Sequence, residues 1–465
     1  MIQLFNHYVS GRLVVLAISE ALVLLMAAYI GISMDAAGPA MPISGLAFAV
    51  PSQAGAFALG MMIVMSSMGL YQGDLWSDSR PVKTRLIIAF LLCFVVTGLM
   101  SYLMPSYYPR PFALGATIMI VALVGSVVVR AAFHRWNDLS ALKLRVLVLG
   151  TGSRVMKLAE LAKCNPNHQV IGYIPTRPSR HYIPLQQLLP MTAEDSLLSV
   201  VEKHAIDQIV VGVRDRRAGG FPVRQLLECR LRGIKVIELS TFFEREYRQI
   251  LLESLNPSWM VLGDGFRQGY FSNAIKRLFD LLVSGLLIVF ASPVLLVASL
   301  CIYVESGSSA LYRQERVGKN GRTFTLYKLR SMKPDAESGG TPHWAKANDD
   351  RTTRVGRFIR KYRIDELPQI INVLKGEMSF VGPRPERPFF VDQLAKQVPF
   401  YELRHSAKPG ITGWAQVRYP YGASVDDAIE KLQYDLYYVK NHSVFLDLMI
   451  LMSTVEVVLW GKGAR

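Results

Sequence analysis

The chain has 465 residues, more than one ordinary soluble domain holds, so two to four units are expected. Apolar residues make up 51% and mean hydropathy is +0.25, too apolar for a wholly soluble protein and too polar for one embedded throughout. A formal charge of +16 suits an anionic partner; no nucleic-acid motif is present, and apolar runs beside the basic clusters favour lipid over nucleic acid. Cys93, Cys164, Cys229 and Cys301 stand far apart without Cys-x-x-Cys or Cys/His spacing, which argues against a disulfide framework or a zinc site.

Four apolar segments, at 13–32, 54–71, 86–104 and 112–129, each approach the ~20 residues a helix needs to cross a bilayer. The first lacks a small-residue cleavage site and is followed by three more runs, so it does not read as a signal peptide. Residues 1–135 therefore read as a four-helix transmembrane bundle. Lys and Arg orient it: Arg80, Lys83 and Arg85 lie between spans two and three, and Arg130, Arg135, Lys143 and Arg145 follow span four. The loop at 33–53 has neither, so both termini of the bundle are expected in the cytoplasm. Glu20 falls in mid-span, either as a functional carboxylate or as one facing a neighbouring helix.

Residues 143–265 alternate strand-like and helix-like stretches, with a buried-strand run over 142–152 ending in Gly-x-Gly and further strands expected near 170–174, 208–213 and 234–239. This rhythm predicts a small α/β, Rossmann-like domain. Its dinucleotide fingerprint is incomplete: Val155 stands where the third glycine belongs, and the second strand ends in Pro175-Thr176-Arg177 with no acidic residue. No NAD is expected there.

A fifth apolar run, 278–304, is long enough to cross but carries Ser292-Pro293 near its middle. Proline removes a backbone donor and crowds the preceding turn. The segment either crosses with a kink or bends back to the side it entered from. Lys276 and Arg277 before it, with Arg313, Arg316 and Lys319 after it, favour ends on the same side.

In the C-terminal third, Asp365-Glu366 opens a helical run. Adjacent carboxylates at a helix start can simply cap free N–H groups. Here they sit among cations of one sign. Arg351, Arg354, Arg357 and Arg360 recur every three residues as a basic stripe, Lys361 and Arg363 lie close by, and Lys328 and Arg330 precede them. Arg384 is fixed between two prolines, which limits the entropy lost on gripping an anion. A carboxylate aimed at a diphosphate can attack phosphorus if cations mask the repulsion, while its neighbour holds magnesium.

At these residues the chain resembles the polyprenyl-phosphate hexose-1-phosphate transferases, the monotopic phosphoglycosyl transferase superfamily. The matching stretches are 313–318, 324–332, 354–360, 365–369, 372–385 and 408–417, in order, across most of 273–465. The N-terminal bundle and Rossmann-like domain match the large form used in exopolysaccharide and capsule initiation. The resemblance implies a re-entrant membrane helix over 273–304 broken at Ser292-Pro293, and an α/β catalytic domain over 305–465 that ends in an interfacial helix. By periodicity alone that last helix reads equally as a core helix. The resemblance also implies Asp365 as nucleophile and Glu366 as its magnesium-holding partner, with the metal between Asp365 and Glu366. Arg360, Arg384, Lys328 and Arg330 are implied to bind phosphate. The implied substrates are a UDP-sugar and undecaprenyl phosphate at the cytoplasmic face of a bacterial inner membrane, with UMP released; large-form relatives allow a homodimer.

Three rivals are weighed against this. A membrane-anchored dehydratase needs an intact Gly-x-Gly-x-x-Gly and a Tyr-x-x-x-Lys pair, and no tyrosine has a lysine four residues on. A glycosyltransferase with an Asp-x-Asp metal site finds no such triplet. A non-catalytic scaffold does not require Asp365, Glu366 and Arg384 together. No motif encodes which sugar is carried.

Overall fold

The computed structural model describes residues 2–4, 7–36, 43–71, 79–103, 112–137, 143–162, 168–176, 182–189, 196–213, 221–255, 269–333, 351–420, 422 and 424–460. The chain divides into two compact units, Met1–His134 with Asp264–Arg465, and Arg135–Gly263.

The first unit opens with an antiparallel hairpin, β1 (Ile2–Leu4) and β2 (His7–Val9). Helices α1 (Gly11–Ala36), α2 (Ile43–Ser67), α3 (Ser79–Leu103) and α4 (Phe112–Asn137) follow. Leu24, Met61, Met65, Ala89, Phe90 and Ala122 close an apolar core between them. Ile18, Leu22, Leu59, Leu91, Ile120 and Val128 point outward, an apolar exterior suited to lipid. Among the described residues three helices are long and apolar enough to cross a membrane: Gly11–Met34, Gly115–Arg135 and Tyr270–Ser306. Two cations used above to orient the bundle are internal. Arg130 lies within α4 and grips the fully buried Glu20 of α1 through Nε–Oε1 at 2.7 Å and Nη2–Oε2 at 2.9 Å. Arg85 lies within α3, buried, and pairs with Glu456 at 2.6 Å. Glu20 thus faces a neighbouring helix.

The second unit contains a parallel sheet of β3 (Leu144–Leu149), β4 (His168–Ile174), β5 (Gln208–Val211) and β6 (Lys235–Glu238), ordered β4-β3-β5-β6. Helices α5 (Ser153–Ala162) and α8 (Leu239–Glu246) cover the face carrying Val146, Val148 and Val210. Helices α6 (Leu197–Lys203) and α7 (Val223–Leu231) cover the face carrying Leu147, Leu149, Ile209 and Val211. The second strand lies beside the first and the third on its other side. This is the flavodoxin-type order 2-1-3-4, whereas a Rossmann sheet runs 3-2-1-4. Val155 is fully buried in the core at the first strand–helix turn, where a third glycine would leave space.

The first unit resumes with α9 (Tyr270–Ser306), a 37-residue helix. It is continuous through Pro293, so the break expected at Ser292-Pro293 is absent. Proline lacks the N–H that would donate to the carbonyl four residues back, and Ser292 Oγ donates to that same Val289 carbonyl at 3.1 Å. β7 (Leu311–Val317) and β8 (Thr323–Leu329) form an antiparallel hairpin. Next come α10 (Arg354–Lys361), a 3-10 turn at Ile364–Gln369, α11 (Ile370–Lys375), β9 (Ser379–Val381) and α12 (Pro388–Gln397). A 3-10 turn at Tyr401–Ser406, β10 (Gly410–Thr412) parallel to β9, α13 (Trp414–Arg418), α14 (Val425–Asn441) and α15 (Val444–Trp460) complete it. α15 packs against α2, α13 and the β9-β10 pair, burying Leu446, Asp447, Ile450 and Glu456, while Leu448, Val455 and Leu459 face outward.

Candidate active site

The site forms where β8 meets the turn after α10. Thr353 caps α10 by accepting from Gly356 N at 2.9 Å, and Glu305, near the end of α9, accepts from Arg354 N at 2.8 Å and Val355 N at 3.0 Å. The helix therefore starts at Arg354, and Arg351 precedes it, so the basic stripe is shorter by one residue than its spacing suggests. A side chain at Gly356 would collide with the Ser331 carbonyl, so glycine lets α10 lie against the end of β8. After α10 the chain turns sharply at Arg363, a non-glycine residue at φ +58°. That turn presents Asp365 and Glu366 in the first turn of the 3-10 segment, both buried. Asn372 ties this segment to β8: its Nδ2 donates to Thr325 O and Glu377 Oε2, both at 2.7 Å, and its Oδ1 accepts from Tyr327 N at 3.2 Å.

The two carboxylates have opposite surroundings. Glu366 Oε1 lies 2.8 Å from Arg384 Nη2 and 3.4 Å from Lys328 Nζ, and its Oε2 lies 3.6 Å from Arg363 Nη1. No hydrogen bond reaches the Asp365 carboxylate among the described residues, and no backbone N–H bonds to either group, so neither serves as a cap. Burial would raise the Glu366 carboxyl, but Arg384, Lys328 and Arg363 outweigh it and hold the group well below the usual carboxylate range. Burial, and then the Glu366 charge, push the Asp365 carboxyl up against the opposing pull of Lys328, Arg360 and Arg384. Burial lowers the Lys328 ammonium, with Glu366 opposing.

The structure thus brings together Asp365, Glu366, Lys328 and Arg384. Arg360, whose Nη1 bonds Thr352 Oγ1 at 3.3 Å, stands near enough to act on Asp365. Arg330, half-buried just past β8, makes no side-chain hydrogen bond or ion pair to the carboxylates among the described residues. Ser292 and Pro293 lie mid-way along α9. Sequence reading treated Arg363 as one of a basic run; its ion pair to Glu366 makes it part of the cluster. It missed Asp280 of α9, which accepts from Ser379 Oγ at 2.9 Å and Phe380 N at 3.0 Å and so fixes the strand leading to Arg384.

Two adjacent carboxylates offer hard oxygen donors of the kind magnesium takes in small number beside substrate phosphates. Asp365 makes no side-chain hydrogen bond among the described residues, and Glu366 Oε2, away from Arg384 and Lys328, lies 3.6 Å from Arg363 Nη1. Among the described residues no group of three or more His, Cys, Asp or Glu is placed to hold a metal ion.

A sequence profile described as bacterial sugar transferase matches residues 271–461. Apolar helices and this match place the molecule among membrane-attached sugar transferases. A UDP-N-acetylgalactosamine-undecaprenyl-phosphate N-acetylgalactosaminephosphotransferase of Aeromonas hydrophila is 41% identical over 259 residues, 56% of this chain and 60% of that protein. A UDP-glucose:undecaprenyl-phosphate glucose-1-phosphate transferase of Xanthomonas campestris pv. campestris is 32% identical over 333 residues, 69% of this chain and 67% of that protein. An uncharacterised sugar transferase of Bacillus subtilis is 42% identical over 191 residues, 41% of this chain and 90% of that protein. The chain belongs to the bacterial sugar transferase family.

Proposed function

We propose that this chain transfers a hexose-1-phosphate from a UDP-sugar to undecaprenyl phosphate at the inner face of the bacterial cytoplasmic membrane, the first membrane step of a polysaccharide. The observation that carries the reading is the division of labour between neighbours: Asp365 is buried and makes no side-chain hydrogen bond among the described residues, while three cations neutralise Glu366. An Asp365 oxygen attacks the phosphorus that bears the sugar. The bond from that phosphorus to the UMP oxygen breaks, and UMP leaves with the electron pair. A phosphate oxygen of undecaprenyl phosphate then attacks the same phosphorus, which frees the Asp365 carboxylate and yields the sugar diphospho-lipid. Arg384, Lys328, Arg360 and Arg330 take the phosphate oxygens and offset the repulsion between carboxylate and diphosphate. Until substrate arrives, Glu366 keeps Arg384 and Lys328 aimed at the site. Asp365 and Glu366 would hold magnesium, which when bound neutralises diphosphate charge. Relatives named for glucose and for N-acetylgalactosamine frame the candidate sugars.

The re-entrant reading of α9 draws support from its anchors. Near its start, Arg277 donates to the carbonyls of Val373 and Leu374 at 2.6 and 2.7 Å, and Lys276 pairs with Asp447. Near its end, Ala298 and Ile302 pack with Leu329 and Ile359, and Glu305 caps α10. A straight helix of this length measures about 55 Å, yet both flanks are fastened to elements that carry the site. Between them Leu286, Val289, Phe290, Leu296 and Val297 are exposed and apolar, ready for lipid. Ends fastened to the same unit suit a helix that bends without breaking, dips into the membrane and returns.

The test is transfer of label from a UDP-sugar carrying 32P in its sugar-linked phosphate into organic-extractable lipid. Wild type should transfer it and form a labelled peptide containing Asp365. Asp365→Asn, melting as wild type, should do neither, and near-wild-type turnover by that variant would overturn the assignment.

A further inference from the structure

We infer that Arg404 is a positioning residue that holds Arg384 in its phosphate-gripping pose through the Arg384 backbone carbonyl; the inference rests on the reading of Arg384 given above. Residues 382–386 read Gly-Pro-Arg-Pro-Glu. Prolines at 383 and 385 delete two N–H groups, so the peptide between Arg384 and Pro385 has a carbonyl as its sole hydrogen-bonding handle. Most peptide groups along the segment are held from outside. Gly382 N donates to Thr412 O at 2.9 Å, Gly410 N donates to Pro383 O at 3.0 Å, and Val317 N donates to Glu386 O at 2.9 Å. Arg316 Nη1 donates to Pro385 O at 3.1 Å, and Arg404 Nη2 donates to Arg384 O at 3.0 Å. The remaining donors of Arg404 are committed beneath the site. Nε and Nη2 reach Asp435 Oδ2 at 3.1 and 2.8 Å, and Nη1 donates to the Tyr401 hydroxyl at 2.6 Å.

Arg404 and Asp435 are both buried. A buried ion pair is seldom worth more to stability than apolar residues of the same size. What a planar, five-donor fork supplies is geometry: it ties α14, the 401–406 turn and the Arg384 carbonyl into one rigid unit. From that carbonyl the Arg384 side chain reaches forward to Glu366 at 2.8 Å. Loosening the carbonyl frees the backbone end of this lever, and a group displaced by an ångström grips a transition state poorly.

The test is a cycle. Arg404→Lys keeps the charge beside Asp435 and loses the fork. We expect it to lower kcat for UMP release about ten- to hundredfold, with KM for the UDP-sugar changed far less. Tyr401→Phe, which removes one anchor of Arg404 and preserves the fold, should cost about two- to tenfold. In an Arg384→Lys background each substitution should cost less than about twofold, because the group they position is already gone. A residue that merely glued α14 to the 401–406 turn would impose the same factor in both backgrounds, and that result overturns the inference. If Arg404→Lys does not fold, the two Tyr401→Phe comparisons decide the matter alone. Full activity of Arg384→Lys and Arg384→Ala would sink the reading of Arg384 and the inference with it. Loss at Arg384 with equal penalties sinks the inference only.

Discussion

Replacing Arg130 with methionine strips the buried Glu20 of its cation. Both Glu20 oxygens lie within 2.9 Å of the guanidinium, and the two side chains are 0% and 14% exposed. Breaking a pair so well enclosed costs about 3–5 kcal/mol, because the surviving charge stays in an apolar setting. Arg130 Nη1 also donates to Leu70 O at 3.2 Å, whose loss adds about 1 kcal/mol. The double variant Glu20→Met with Arg130→Met removes both charges and should cost only about that last 1 kcal/mol. In detergent, with about 2–4 °C per kcal/mol, Arg130→Met should melt roughly 8–24 °C below wild type and the double variant within about 4 °C of it. Label transfer to lipid should survive in the double variant, since a structural pair takes no part in chemistry. Equal melting of the single and double variants would refute the reasoning, and so would a double variant that melts as wild type yet has lost transfer.

Three further expectations concern the site and its approach. A nucleophilic Asp365 must be ionised, and burial beside Glu366 raises its carboxyl, so kcat/KM should fall with decreasing pH above the usual carboxylate range; Glu366→Gln removes the like charge and should move that acid limb to lower pH. A pH profile flat down to pH 4 in wild type would contradict this. Exhaustive chelation should abolish UMP release and magnesium restore it, with a weaker dependence in Glu366→Gln; full activity after chelation would remove the metal from the scheme. Single cysteines at Asn273 and Ser306, in a background without native cysteines, should react only with reagents that reach the cytoplasm, and labelling of the Ser306 site from outside intact cells would overturn the re-entrant reading.

Local pattern carried much of the architecture into view. The β-αs of the second unit announce themselves by short apolar runs, and the strand order became visible only through pairing, because period and composition do not say on which side of β3 the third strand lies. The cluster around Asp365 and Glu366 was legible because a run of cations of one sign in sequence calls for an anion. Arg85 and Arg130 were misread as loop charges because their partners lie 371 and 110 residues away in sequence. Spacing extended the stripe to Arg351, but the Thr353 side chain fixes where the helix begins. Asn372, Asp280 and Arg404 left no local trace: each acts through contacts to residues distant in sequence, and an isolated polar residue looks alike whether it faces solvent or braces a neighbour; Arg363 reaches Glu366 only three residues on, but nothing in the sequence marked its positive φ.

The C-terminal helix α15 has a practical consequence for building hybrids. Its Asp447 bonds Lys276 at the entrance of α9, and its Glu456 bonds Arg85 inside α3, where that arginine also donates to Met68 O at 3.0 Å. This helix therefore holds one half of a two-key lock: one partner lies 171 residues earlier and the other 371. Grafting this transferase portion onto a foreign membrane bundle would separate the keys, stranding Glu456 in a setting built to receive a guanidinium. A working hybrid must carry α3 and α15 from the same parent, or recode Arg85 and Glu456 together as apolar residues.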